Sequence, residues 1–330
     1  MFKSKILGVG SRVPDKVVSN FDLEKLMDTS NEWILERSGI RERRFVTPPT
    51  GASQLALPAC IQAIAKAGID KSDIDFIIVA TTTPEHLFPG TSSFLQALLE
   101  LPGVPTLDIR VQCSGFVYGL SIADQFIKTG MYKNILLVGV EVQSVGLNLT
   151  TEGRDTAVLF GDGAGAVVVG RSDDESQILS THLYGDGRYA KELWIDAPVG
   201  SESPRISVEM LKQGRQYPQM NGRQVFKHAI TKFPEVILNA MEANGLTRED
   251  ITLIIPHQAN QRITEAVAKR LEIPLEKVYS NIDRYGNTTA ASIPLALSDA
   301  LGEDKIHRGD YIVLAAFGSG FTWSSAAIRW

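Results

Sequence analysis

The chain has 330 residues, enough for two ordinary domains or one large composite with a sizeable core. With 44% hydrophobic and 22% charged residues it is globular, which excludes a disordered or fibrous protein. A formal charge of −5 and a pI near 5.6 exclude a nucleic-acid binder that relies on a global basic field, so any polyanionic partner must meet a local patch.

Helical and strand patterns alternate along the chain, which predicts an α/β fold. ILGVGSRVP opens as a strand, and SNFDLEKLM follows as a helix capped at Ser19 or Asn20. TPPTG near residue 47 reads as a loop. ASQLALPACIQAIAKAG is amphipathic at helical spacing, and DFIIVATTT after it is a buried strand. SGFVYGLSIADQFIKTG is a helix apolar over much of its circumference, which places it between sheets, and NILLVGVE is the next strand. APVGSESPR near residue 197 is a mid-chain loop, read here as an insertion beside a domain junction. No apolar run approaches a membrane span, and MFKSKILGVGSRVPD has no long apolar h-region. The two cysteines, Cys60 and Cys113, cannot make a disulfide framework. The expectation is a soluble cytoplasmic protein, without membrane or nucleic-acid partners.

One internal signal is structural. AIAKAGIDKSDIDFIIV at 63–79 lies against AMEANGLTREDITLIIP at 240–256, pairing Gly68 with Gly245, Asp73 with Asp250, and Ile77 and Ile78 with Ile254 and Ile255. Each copy runs helix, glycine stop, acidic turn and buried strand, at one offset of 177 residues. Carried on, the offset sets Cys113 opposite Ala290, and NILLVG near DYIVLAAFG. Two related α/β halves facing each other are expected, against the alternative of chance similarity between two amphipathic units.

Cys113, in DIRVQCSGF, stands between a strand and the buried helix. A helix N-terminus offers unpaired N–H groups that stabilise a thiolate. Most intracellular cysteines are instead structural, and that reading fits Cys60 in LALPACIQAIA better. His257, in LIIPHQANQRI, sits where a buried strand breaks, suited to proton or oxyanion work or simply to capping a helix that starts near Ala259. Asn287, in DRYGNTTAAS, begins a helix after a strand-like segment, and alone would be a turn or cap residue. No His or Cys group has zinc-ligand spacing, so no metal is expected.

FGDGAGAVVVG is not a dinucleotide fingerprint, because a β-branched run follows where a helix is required. Its glycines suit close backbone approach. FGSGF at 317–321 is a tight turn, either a plain connection between strands or an oxyanion site made of exposed N–H groups. Trp33, Arg37, Arg41, Arg43 and Arg44 form an aromatic and basic cluster that could hold a nucleotide and phosphates, or be a solvated face. Arg262, Lys269 and Arg270 share one predicted helix and could dock an acidic carrier protein, or be solvated.

DTSNEWILERSGIRER, QCSGFVYGLSIAD, FGDGAGA, PHQANQRI, DRYGNTTAAS and FGSGFTW occur in one order across nearly the whole chain. In this the chain resembles the β-ketoacyl-acyl-carrier-protein synthase III family, the initiating condensing enzymes of type II fatty acid synthesis. The resemblance implies a thiolase-like fold in a duplicated five-layer α/β/α/β/α arrangement, with halves 1–172 and 173–330, and a homodimer. It implies Cys113 as acyl acceptor, and His257 and Asn287 as the decarboxylation pair. The backbone N–H groups of Cys113 and Ser319 become the oxyanion donors; serine stands at 319 where the family commonly has glycine. Trp33, Arg37 and Arg154 fall around the CoA nucleotide, and Phe226, Ala259 and Asn260 along the pantetheine channel. Phe88 reaches the partner's acyl pocket. Substrates are an acyl-CoA and malonyl-acyl carrier protein (malonyl-ACP), with no further cofactor.

The same residues discriminate among other families. Thiolases need a second late cysteine, elongating enzymes a second histidine where Asn287 stands, and papain-like hydrolases another architecture. QCSG and the 198–222 segment also resemble alkylquinolone-type enzymes that take an anthraniloyl primer. A non-catalytic carrier-binding partner is the remaining alternative, opposed by the intact Cys113, His257 and Asn287 set.

Overall fold

The computed structural model describes residues 1–47 and 50–330. Pro48 and Pro49 of the TPPTG loop lie outside the described residues. The first sheet contains β1 (Lys3–Arg12), β2 (Phe76–Ala80), β3 (Thr106–Ile109), β4 (Asn134–Glu141) and β5 (Gly163–Ser172), in the order β1-β5-β4-β2-β3. The second contains β6 (Gln177–Gly185), β7 (Ile251–Pro256), β8 (Tyr311–Gly318) and β9 (Thr322–Arg329), in the order β7-β8-β9-β6. Strands β2 and β4 of the first sheet and β7 and β8 of the second run parallel, and parallel neighbours need a crossover. Helices supply these crossovers: α1 (Asn31–Ser38) lies at the rim, followed by α2 (Ala52–Ala67), α3 (Gly115–Thr129), α4 (Gly222–Glu242), α5 (Gln261–Leu271) and α6 (Ser292–Gly302).

Strand periodicity separates the layers. Ile78 and Leu137 face inward onto α3 and α6, where Phe116, Leu120, Ile293 and Leu297 also meet Ile255 and Leu314 of the second sheet. The alternate residues Ile77, Val79, Leu136 and Val138 face outward onto Leu55, Ala59 and Ala63 of α2. Ile254, Val313 and Ala315 face outward onto Phe233, Ile237 and Val267 of α4 and α5. Because both faces of each sheet are covered, the strands read as near-continuous apolar runs. The result is the five-layer thiolase-like arrangement.

The repeat persists in detail. β4 and β8 have ends 177 residues apart, and so do the tight turns Gln112–Ser114 and Thr289–Ala291. Two expectations need correction. The APVGSESPR stretch at 197–205 does not lie where the chain changes sheets, which happens between Ser172 and Gln177. It belongs to an arm between β6 and α4, tied down by the paired Leu193–Trp194 and Gln219–Met220 and by Arg215 with Asp196 and Glu202. The segment before Asn287 is not strand-like but a helical turn, Ile282–Tyr285.

Candidate active site

Both sheets aim their parallel strand ends at one crevice, and the tight turns deliver side chains into it. Cys113 sits in the Gln112–Ser114 turn just ahead of α3, and is only 6% exposed. Gln112 is left-handed, with φ 41°, and its counterpart Thr289 matches it at 49°. Such backbone is uncommon for side chains larger than glycine, and it lets each turn fold back sharply before its helix. The β8–β9 turn closes the other side. A Cβ on Gly318 would lie 2.5 Å from that of Cys113, so glycine is required there. The Ser319 backbone N–H donates toward the Cys113 sulfur. The Ser319 hydroxyl donates away, to the Leu193 carbonyl, so serine coexists with that N–H geometry.

The thiolate expected from a helix N-terminus does not prevail at rest. Burial, and secondly the Glu141 carboxylate, push Cys113 up to about 12, and the two N–H donors only moderate this. Cys60 is wholly buried in α2 and pushed up by desolvation alone among charge effects, as a structural thiol should be.

His257 follows β7, its N–H donating to Ala315 O at 2.7 Å. Burial pushes the imidazole down to about 3, so it is neutral. Nδ1 lies 2.6 Å from Ser292 Oγ, and Nε2 is buried with no partner among the described residues. Asn287 is held by its N–H to Leu159 O and by Gly161 N–H to its own carbonyl. Its Oδ1 accepts from Thr289 N–H at 2.9 Å, which leaves the amide NH2 as the unengaged end. The cap role therefore goes elsewhere: Asn260, not His257, caps α5.

Cys113, His257 and Asn287 line one cavity of about 430 Å³, which runs outward past Phe226, Ala259 and Asn260 to Trp33, Arg37 and Arg262. At that mouth the Arg37 and Arg154 guanidiniums stack on the Trp33 ring, at 4.6 and 5.1 Å from its centroid. Arg154 reinforces the platform without lining the cavity. Asn260 has a structural duty too, donating to Arg37 O. The expected basic cluster is divided by the fold. Arg43 is fully buried and donates to Val18 O, Asn20 Oδ1 and Val158 O, so it braces the core and meets no phosphate. Arg44 pairs with Glu42. Arg262 stands at the cavity mouth, whereas Lys269 and Arg270 lie exposed two turns along α5. Phe88 is 82% exposed and lines neither cavity of its own chain.

A second cavity, about 370 Å³, opens on the other side of Cys113 between the 190–195 segment and the Thr82–Gln143 region. Sequence reasoning missed it, together with Ser292 and Glu141. Glu141 is fully buried at the end of β4 and pushed up to about 7 by desolvation. It accepts from Thr82 N–H, Thr82 Oγ1, Thr83 Oγ1 and the Ala290 backbone. Ser292 had one available signal, the 177-residue offset that sets 289–292 opposite 112–115. Glu141 had only the oddity of an acid closing an apolar strand.

Residues 107–187 match the family described as 3-oxoacyl-[acyl-carrier-protein (ACP)] synthase III, and residues 241–330 match its C-terminal family. A β-ketoacyl-[acyl-carrier-protein] synthase III of Roseiflexus castenholzii is 46% identical over 325 residues, 98% of this chain and 97% of its own. Synthase III 1 of Vibrio vulnificus (strain YJ016) is 46% identical over 326 residues, 99% of each. The crystal structure of the Aquifex aeolicus 3-oxoacyl-[acyl-carrier-protein] synthase III matches with a TM-score of 0.91 at 45% identity, over 99% of this chain and 100% of that one. A priming β-ketosynthase of the R1128 polyketide pathway matches at 0.91 and 32% identity, over 98% and 95%. Likeness of this extent, over a site of this geometry, shows that the chain belongs to the β-ketoacyl-acyl-carrier-protein synthase III family of thiolase-like acyltransferases.

Proposed function

We propose that the protein condenses an acyl-CoA primer with malonyl-ACP to give 3-oxoacyl-ACP, CoA and CO2, through an acyl group on Cys113. The observation that carries this is the convergence of Cys113, His257 and Asn287 on one cavity whose far end holds the Trp33 and arginine platform. An indole with guanidiniums suits the nucleotide of CoA, and the apolar passage by Phe226 and Ala259 suits its pantetheine arm.

In the first half-reaction the Cys113 sulfur attacks the thioester carbonyl, and CoA leaves carrying the thiol proton. The N–H groups of Cys113 and Ser319 stabilise the tetrahedral oxyanion. In the second, malonyl-ACP loses CO2, and its thioester oxygen gains charge in a site that excludes water. Asn287 Nδ2 and His257 Nε2 donate to that oxygen. Donation through Nε2 requires Nδ1 to be the acceptor, so the Ser292 hydroxyl, which donates to Thr289 O at 2.9 Å in this structure, must turn its proton toward His257 for that step. The enolate carbon attacks the acyl-enzyme, the C–S bond breaks with its electron pair going to the Cys113 sulfur, and the thiolate takes a proton from water. Thioesters carry all the activation, so the chemistry calls for no metal or redox cofactor.

Arg262, with Lys269 and Arg270 on the same helix, is the proposed landing site for the acidic carrier protein. Phe88 is proposed to enter the acyl chamber of a second copy in a homodimer. Two unpaired buried cysteines fit a reducing, cytoplasmic setting. Incubation with acyl-CoA followed by intact-mass measurement tests the reading. Cys113→Ala should lose the acyl adduct while Cys60→Ala keeps it, and an adduct on Cys60 would overturn the assignment.

A further inference from the structure

The second cavity is where an acyl group on Cys113 would rest, and its lining is unequal. Phe160, Leu193, Trp194 and Ile195 make an apolar wall. Opposite stand Arg110 and Gln112, on the strand end that also delivers Cys113, with Thr82 and Gln143. The last two are engaged elsewhere: the Thr82 hydroxyl donates to Glu141, and the Gln143 amide to Thr289 Oγ1 at 2.9 Å. Arg110 and Gln112 are not. Arg110 is solvent-exposed at the chamber's edge and Gln112 is half-buried; among the described residues of the single chain neither side chain has a protein partner, so both are free to meet a ligand group. At about 370 Å³ the chamber far exceeds an acetyl group.

A plain alkyl chain would use the wall alone, whereas Arg110 and Gln112 on the lining also offer a guanidinium and an amide as donors. We propose that the chamber takes an ω-carboxyacyl group, a dicarboxylic acid joined to CoA through one carboxyl, whose free carboxylate is gripped by Arg110 and Gln112. The inference rests on the condensing reading above and names the primer class of that site. Arg presents paired N–H donors that match the two oxygens of a carboxylate. Arg110 stands three positions before Cys113, at most ~10 Å along the backbone, which a chain of about four to six carbons can span. Glu141, the nearby buried acid, does not line the chamber, and its oxygens are occupied by threonine and backbone donors. Chemistry at the thioester end is unchanged: the Cys113–acyl bond forms, the CoA–acyl bond breaks, and the thiol proton leaves on CoA. The distal carboxylate takes no part and appears intact in a 3-oxo-dicarboxylyl-ACP.

Glutaryl-CoA and pentanoyl-CoA have equal carbon number and differ at the far end, so they isolate the effect. The wild-type protein with malonyl-ACP should prefer glutaryl-CoA in kcat/KM by about tenfold or more. Arg110→Leu should cut that ratio by about tenfold or more, and Arg110→Lys should restore part of it, keeping charge without the fork. A wild-type preference for pentanoyl- or acetyl-CoA, or a ratio unchanged in Arg110→Leu, overturns the inference and leaves the condensing reading intact. Acylation by none of these thioesters overturns both.

Discussion

Cys113 and His257 are both tuned away from charge. Burial pushes the thiol up to about 12 and the imidazole down to about 3, so the resting pair is neutral, unlike a thiolate–imidazolium couple. Neutrality is useful for His257, because a neutral imidazole can donate one hydrogen bond to an enolate oxygen without bringing a proton that would quench the carbanion. Its direction depends on Ser292, 2.6 Å from Nδ1. Ser292→Ala should leave acylation of Cys113 near its original rate while CO2 release from malonyl-ACP falls about tenfold, part of what a lost oxyanion donor costs. Equal loss of both half-reactions, measured by adduct mass and by CO2 capture, would remove the tautomer role. At this scale Cys113 and His257 were legible as candidates by type and by their place at strand ends, whereas Asn287 alone read as a turn or cap residue and joined them only through the family resemblance. Ser292 was not, because a serine in an apolar helix gains its meaning only from what packing places beside it.

Between residues and halves, the repeated tight turns do the positioning. Glu141 at the end of β4 links the Thr82–Thr83 loop to Ala290 in the 289–291 turn, whose Thr289 backbone meets both Asn287 and His257. Its carboxyl is pushed from 4.5 up to about 7. Between those pH values the unfolded chain ionises and the folded one keeps the proton, so stability falls as pH rises and the loss is complete above about 7. For this one group the change is about 3 kcal/mol. Glu141→Gln should lack that fall, and urea midpoints of both proteins between pH 4.5 and 7.5 measure it; parallel profiles would contradict the assignment. The element pattern itself was readable: NILLVGVE matches β4 to the residue, and the duplicated helix, turn and strand pointed to the shared architecture. The turn before Asn287 was misread because Ile282–Tyr285 is a single helical turn, too short to show a period. The glycines of FGDGAGA read correctly as close-approach positions: a Cβ on Gly161 would stand 2.3 Å from Tyr285 O.

The whole molecule is two facing copies of one unit that differ at their shared crevice, one turn bearing Cys113, the proposed nucleophile, and the other following Asn287, which with His257 is proposed to stabilise charge. Neither half holds the site alone. Composition and periodicity revealed that plan, but they carried no information on the second cavity, whose walls come from residues 82, 110, 160, 194 and 218, brought together only by the fold. The same limit applied to Arg43, which looks like a surface cation in sequence and is buried among carbonyls. Phe88 and Leu87 stand exposed on the chain's own surface. If they complete a neighbouring chamber, sedimentation should give about twice the 36.1 kDa chain mass, and Phe88→Ala should slow acylation by primers longer than acetyl. A fully active monomer would contradict that arrangement. The central claim, that one cysteine accepts an acyl group and a separate pair discharges it, is tested most directly by intact mass in two steps with wild-type protein and Asn287→Ala. Both should take an acyl group from acyl-CoA on Cys113. On adding malonyl-ACP only the wild type should lose it with release of CO2, the variant being slower by about a hundredfold or more. Discharge of the variant at the wild-type rate, or no adduct on Cys113 in either protein, would contradict the account.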